Sequence, residues 1–405
     1  MTLTFRAYDA SRCGYPRNRI PVTPLLELSA LGSPTSARYP SVFNEASAPV
    51  FARGRYALFH ALRRLGVGEA HSVMVPAYHC RTMIDPVVHA GAEVALFTLN
   101  ADLSPDLAGL ASTAGSTARP VKALLLPHYF GFPQDIAPVA AFCHERGITL
   151  IEDCCHAYYG SWRGRPLGTW GDCAIASPNK FFACDDGGSF FAPGPQPSVR
   201  LRSPPLIDEL RAVYHSAEGL WAQRRRRFGA DGLRDLAPRF ERVREQFPRW
   251  SDETEEHAGT SPSHLYQSGL DTASALAWSR GLMRWSDADK LCERRRANFS
   301  ALLAGVRELP HCRPLFSVLP EGVVPYMFPL LIERPEHRFH WLKHLGVPMY
   351  RWDELAISDC ATSNRYRLNL VHLPCHQSMR PDDLAWLLRA LAHAMNAQPA
   401  SEGAP

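Results

Sequence analysis

VKALLLPHYFGFPQDIAPVAAFCHERGITLIED, residues 121–153, passes from an apolar run through a helix-like segment into a second apolar run that stops on two carboxylates. Val121-Lys122-Ala123-Leu124-Leu125-Leu126 and Ile148-Thr149-Leu150-Ile151-Glu152-Asp153 read as strands apolar on both faces, with a helix between them from about Asp135 to Arg146. The same alternation extends outward. Ser72-Val73-Met74-Val75 and Glu93-Val94-Ala95-Leu96-Phe97 read as strands on either side of a helix-like segment through Pro86-Val87-Val88, and Asp172–Ser177 reads as a further strand. Strands apolar on both faces and separated by helices predict an α/β fold built on a large, mostly parallel sheet.

Beyond the sheet the pattern changes. Residues 194–262 are rich in Pro, Arg and Glu, contain the run Arg224–Arg227, and read as helices and loops. One long helical pattern is expected from about Thr272 to Leu303. Met327–Ile332 and a helical ending at 381–396 then predict a smaller α+β domain. The division read from these patterns is an N-terminal arm at 1–45, a large α/β domain at 46–270, an interdomain helix with the small domain at 271–395, and a tail at 396–405.

Composition narrows the class. With 46% hydrophobic and 21% charged residues and no run near the ~18 apolar residues that span a bilayer, the chain reads as a soluble globular protein with no membrane partner. Its opening residues lack the apolar stretch of a secretory signal. Its net charge of +4 is spread thinly and gives little reason to expect a nucleic acid. Eleven cysteines, an odd number without a CxxC pair, fit reduced thiols in a cytoplasm. The Cys154-Cys155-His156 cluster invites a metal reading, but adjacent residues seldom converge on one ion, so no metal site is expected.

Ligands of parallel α/β sheets collect at the carboxyl ends of the strands. Three features fall there. Asp153 ends the strand ITLIED, and Lys180 follows the strand that ends at Ser177. Arg53-Gly54-Arg55-Tyr56 opens a helix whose Leu58, Ala61, Leu62 and Leu65 recur at helical spacing. A helix opening on glycine offers free N–H groups and a positive dipole end to a phosphate. A carboxylate, an amine and an anion cradle around one crevice match the needs of pyridoxal 5′-phosphate (PLP): an amine to bind its aldehyde, a carboxylate to hold its ring nitrogen protonated, and a seat for its phosphate.

The run IEDCCHAYYGSWRGRPLGTWGDCAIASPNKFFACDDGG at 151–188 resembles the signature of the DegT/DnrJ/StrS sugar aminotransferases, which are fold type I PLP-dependent enzymes. The likeness extends to GRYALFHALRRLGVGEAHSVMVPAYHCRTMIDPVVHAGAEVALF at 54–97, to His128-Tyr129-Phe130-Gly131 and to ERRRANF at 293–299, and so covers roughly residues 50–395. The resemblance implies that Lys180 carries the cofactor, that Asp153 pairs with its ring nitrogen and that His156 lies beside its 3′-oxygen. Ser177 and the backbone N–H groups of Arg55 and Tyr56, in the turn opened by Gly54, would hold the phosphate.

The family's ring-stacking aromatic aligns with Cys80, so either Cys80 or its neighbours Tyr78 and His79 would cover the ring. The asparagine with which a partner subunit of that family reaches the phosphate has no counterpart near Ser268–Asp271, and the Arg224–Arg227 run or Ser268 are the substitutes considered. His128 and Arg351 are candidates for the substrate. The implied reaction moves an amino group from Glu or Gln to a keto sugar, in the first place a nucleotide-linked one, a cyclitol or another carbonyl, in a homodimer. A PLP-dependent dehydratase and a non-catalytic relative of the fold are the other readings. In dehydratases of this type a histidine replaces the lysine, whereas Lys180 is present here.

Overall fold

The computed structural model describes residues 3–8, 13–44, 48–194, 199–225, 254–259 and 261–398. Its centre is a seven-stranded sheet in the order Val50–Phe51, Gly188–Phe191, Cys173–Ala176, Thr149–Asp153, Val121–Pro127, Ser72–Pro76, Glu93–Phe97. The last five pair in parallel, and the two strands at the other edge run antiparallel. The opening stretch forms as its periodicity implies. Helix Ile136–Arg146 buries Ile136, Val139, Phe142 and Cys143, and it stops where Gly147 takes a left-handed φ of 64° and Ile148 N–H returns to Cys143 O at 2.9 Å.

Helix Gly54–Arg64 packs Tyr56, Ala57, Leu58, Ala61 and Leu62 inward, with Val73, Val75, Leu125 and Ile151 from the sheet in the same core. Both faces of the sheet are therefore covered, as strands apolar on two sides require. After Glu93–Phe97 the chain crosses back to place Val121–Pro127 on the far side of Ser72–Pro76. That reversal of strand order opens a crevice at the strands' carboxyl ends.

A second sheet, of strands Cys312–Pro314, Met327–Ile332 and Leu370–Pro374, lies in the C-terminal part of the chain with helices Ala288–Val306, Pro335–His344 and Pro381–Asn396. Trp386, Leu387, Leu391 and Met395 of the last helix are fully buried.

Three expectations are corrected. The long helix over 272–303 is two helices, Ala277–Trp285 and Ala288–Val306. Asp287 breaks it, because its side chain caps the second helix by accepting from Lys290 N–H at 3.0 Å, while Ser286 Oγ bonds back to Leu282 O at 2.7 Å. The N-terminal stretch is not all arm. Leu3–Tyr8 is the middle strand of a three-stranded antiparallel sheet, between Thr254–Gly259 and Leu355–Ala356. The 194–262 region accordingly contributes a strand besides helix Leu206–Arg225. The Arg224–Arg227 run lies at the edge of, and partly outside, the described residues.

No described helix is long and apolar enough to cross a membrane. All eleven cysteines are free thiols.

Candidate active site

A cavity opens at the carboxyl ends of the parallel strands and is lined by Gly54, Cys80, Asp153, His156, Ser177 and Lys180, together with Arg53, Arg55, Thr82, Cys155, Asn179 and Trp352. Each element delivers its residue for a local reason. Asp153 is the last residue of its strand and 3% exposed, and its Oδ1 accepts from the Cys155 N–H at 2.9 Å, which aims the carboxylate out of the sheet. Lys180 closes a single 3-10 turn, Pro178–Lys180, with its N–H returning to Ser177 O at 3.1 Å.

The Lys180 ammonium lies 5.5 Å from the centre of the Tyr326 ring. Burial alone would lower the pKa of this amine, but Cys155, Tyr326, Cys80 and Asp153 outweigh it and the net shift is upward. Burial raises the Cys155 thiol well above its usual value and pushes Tyr326 up to about 12, so both are neutral at physiological pH. Asp153 is the carboxylate among these partners and lines the same cavity.

His156 is buried, and its Nδ1 accepts from the Phe130 N–H at 3.2 Å. Burial, reinforced by Lys180 and His372, pulls its pKa well below the usual imidazole value. The ring is thus neutral with its proton assigned to Nε2, an N–H donor. Tyr326 lies against the ring at 4.5 Å between centroids.

At the helix opening, Arg53 caps Gly54–Arg64 without a side-chain bond. The Tyr56 and Ala57 N–H groups both donate to Arg53 O, at 3.0 and 3.3 Å. The first-turn amides with no acceptor inside the helix are then those of Gly54 and Arg55. Gly54 is required here by space: a Cβ would stand 2.1 Å from Ser177 Oγ and 3.3 Å from Cys155 Sγ. Gly54→Ala should strain this contact by roughly 1–3 kcal/mol, and weaken an anionic ligand seated there by about ten- to a hundredfold. Equilibrium titration with PLP measures this, and an unchanged Kd would remove the cradle.

Several residues expected at the site point elsewhere. Tyr56 spends its N–H inside the helix and packs its ring on Tyr266, its hydroxyl accepting from Gln267 N–H at 3.3 Å. Tyr78 is fully buried, with its hydroxyl 2.9 Å from His372 Nε2, and His79 Nε2 accepts from Ala356 N–H at 3.2 Å. Of that trio only Cys80 reaches the cavity.

His128 is also buried away from it. Its Nε2 donates to Glu152 Oε2 at 3.0 Å while its Nδ1 accepts from Gln134 N–H at 3.2 Å. Glu152 further accepts from the N–H groups of Gly168, Trp170 and Gly171. Burial would raise this carboxyl, yet His128 and the backbone donors hold it below its usual range. His128, Glu152 and Cys154 stand close enough together to suggest a metal, but the histidine and carboxylate are committed to these bonds and anchor the 168–171 turn. Arg351 lies against the Phe339 ring at 3.7 Å and 3.4 Å from Asp353, its side chain 1% exposed. Its neighbour Trp352 lines the cavity instead. Ser268 sits in a short 3-10 turn outside the cavity lining.

Sequence reasoning missed Cys155, Asn179, Trp352 and Tyr326. The first two adjoin residues already singled out, and adjacency was the available signal. Trp352 and Tyr326 arrive from the C-terminal half of the chain, and nothing local marks them.

Residues 44–203 match the model of the DegT/DnrJ/EryC1/StrS aminotransferase family. The match takes in both the opening of helix Gly54–Arg64 and the turn that bears Lys180. It is similar to the dTDP-4-dehydro-2,3,6-trideoxy-D-glucose 4-aminotransferase of Saccharopolyspora spinosa, at 32% identity over 168 residues, which span 41% of each chain. The fold as a whole resembles a DegT DnrJ EryC1 StrS aminotransferase from Brucella abortus (16% identity, 86% of each chain, TM-score 0.58). It also resembles a sugar aminotransferase from Micromonospora echinospora (17% identity, 85% of this chain and 87% of that one, TM-score 0.57). The architecture, a mostly parallel sheet covered by helices, is the fold these solved aminotransferases share. Within the matched segment lie Gly54, Cys80, Asp153, His156, Ser177 and Lys180, whereas Trp352 and Tyr326 come from beyond it.

Proposed function

We propose that this protein is a PLP-dependent aminotransferase that moves an amino group from Glu or Gln to a keto sugar, nucleotide-linked or of a related carbonyl class. The observation that carries this reading is one cavity holding a lysine amine, a strand-end carboxylate and the amide-bearing start of a helix. The DegT/DnrJ/EryC1/StrS match and the Saccharopolyspora relative's keto-sugar activity support the substrate class.

The residues present fit the cofactor. Glycine at 54 leaves room for the Ser177 hydroxyl beside the start of the helix, so that this hydroxyl and the amides of Gly54 and Arg55 stand together as donors for a phosphate. Bound PLP supplies an electron sink for charge developing on a substrate carbon. The chain does the rest. Lys180 Nζ would be the amine that bears the cofactor and, when free, the base that takes the proton from the donor's α-carbon and returns it to the carbon that is reduced. Asp153 would be the carboxylate that keeps the ring nitrogen protonated. The Nε2–H of His156 is the donor for a ring oxygen, and Cys80 and Trp352 are the walls available to flank the ring.

Borohydride reduction of the PLP-loaded protein followed by peptide mapping should place the cofactor mass on the peptide containing Lys180. Label on another lysine would end this assignment. The same proposal takes residues 46–270 as the cofactor domain and 271–395 as the interdomain helices and small domain. It includes a homodimer, for which Leu206, Ile207, Leu210 and Tyr214 offer an exposed apolar stripe on helix Leu206–Arg225. Sedimentation as an active monomer would exclude that assembly.

A further inference from the structure

Arg295 lies in helix Ala288–Val306 and is completely buried. Its Nε donates to Gln377 Oε1 at 2.9 Å. Its Nη1 reaches Pro325 O at 3.2 Å and Tyr326 O at 3.1 Å, and its Nη2 reaches Lys180 O at 2.8 Å and Phe181 O at 3.4 Å. The guanidinium also stacks on the Phe181 ring at 4.5 Å, and Gln377 donates in turn to Phe181 O at 2.7 Å. All three nitrogens are thus spent on neutral acceptors. Burial lowers the pKa to about 10, which leaves the group charged at physiological pH. A cation buried without a carboxylate among these partners is costly unless every donor is satisfied, and here the satisfaction comes from four backbone carbonyls.

Those carbonyls belong to two segments that would otherwise be independent. One is the turn after strand Cys173–Ala176 that bears Lys180. The other is Pro325-Tyr326, at the start of strand Met327–Ile332 in the second sheet. From them two side chains converge: the Tyr326 ring lies beside the Lys180 ammonium and against His156.

We infer that Arg295 is a positioning residue for Lys180, clamping the lysine's peptide unit and that of Tyr326 in one planar fork so that the amine is held beside the Tyr326 ring in the cavity that Asp153 also lines. Lysine cannot replace it, because a single ammonium cannot bond two carbonyl pairs at once. The inference rests on the proposed role of Lys180 only for its consequence in catalysis, since the clamp itself is a property of the cofactor-free chain.

The test uses the full chain without cofactor. Reductive methylation of Lys180 is followed against pH by peptide mass mapping in the parent, in Arg295→Lys and in the milder Gln377→Ala, with Lys122 and Lys290 as internal controls. Release of the clamp frees the amine from the partners that raise its pKa. In Arg295→Lys the midpoint should drop by about half a unit, giving Lys180 labelling about threefold faster at a given pH, with the controls unchanged. Gln377→Ala should move it the same way by less. On loading with PLP, Arg295→Lys should still label at Lys180 but lose about ten- to a hundredfold in kcat with KM little changed, the mark of misplaced chemistry rather than lost binding. A Lys180 labelling profile equal to the parent's in both variants, whatever their melting temperatures, overturns the inference. Should Arg295→Lys fail to fold, Gln377→Ala alone decides it. A shifted profile in a protein whose Lys180 never binds PLP would uphold the clamp and refute the proposed function instead.

Discussion

Lys180→Ala should abolish transamination, with a loss on the order of 10⁴-fold or more, because one substitution removes both the covalent attachment and the group that moves the proton. Measured as amino transfer from Glu or Gln to a panel of keto acceptors, the residual rate should not respond to pH in the way an amine-dependent step does. The fold should survive. Burial opposes the charge that Lys180 carries, so replacing it removes a buried ammonium and leaves the backbone bonds of Arg295 to the 180 and 181 carbonyls in place. A variant retaining a tenth of the parent's rate would exclude Lys180 from the chemistry, and a collapsed melting temperature would mark it as structural.

Asp153→Asn is the second large effect. An amide is nearly the same shape as the carboxylate, and its oxygen can still accept from the Cys155 N–H, so the strand end and the neighbouring turn should hold. What is lost is the negative charge that the proposed function sets against the cofactor's ring nitrogen. Loss of such a pair inside a dry cavity costs several kcal/mol in the transition state, and the rate should fall by about a thousandfold while PLP still binds measurably. A variant within tenfold of the parent would take Asp153 out of this role.

Much of this site was legible from residue order. Asp153 and Lys180 follow strand runs that periodicity alone identifies, and Gly54 opens a helix whose apolar positions recur at helical spacing. In a parallel sheet, strand ends and helix starts collect on one edge, so finding the elements is enough to gather these three residues in one crevice. The direction of each side chain is not encoded in the same way. Tyr78, His79 and Cys80 are consecutive, and which of them faces the cavity depends on how the chain turns between Pro76 and the helix Arg81–His89. The turn sends Tyr78 to His372 and His79 to Ala356, and leaves Cys80 at the wall. Arg351 and Trp352 divide similarly, the charged residue packed under Phe339 and the aromatic one at the site.

By itself the sequence determined the α/β class, the run of parallel strands, the helix ending near Arg146, the helix opening at Arg53–Tyr56, and the candidate trio Gly54, Asp153 and Lys180. Each of these follows from apolar period, turn chemistry and position along one local stretch. Only the tertiary structure decided that Leu3–Tyr8 is the middle strand of a sheet whose other members are Thr254–Gly259 and Leu355–Ala356, that His128 serves Glu152 rather than a substrate, and that Tyr326, Trp352 and Arg295 complete the surroundings of the lysine. Most of these are pairings between residues more than a hundred positions apart, and His128 and Glu152 are 24 apart on neighbouring strands' ends. Their energies come from buried hydrogen bonds and ring contacts that exist only once both partners are in place, so neither partner's own neighbourhood in the chain records them.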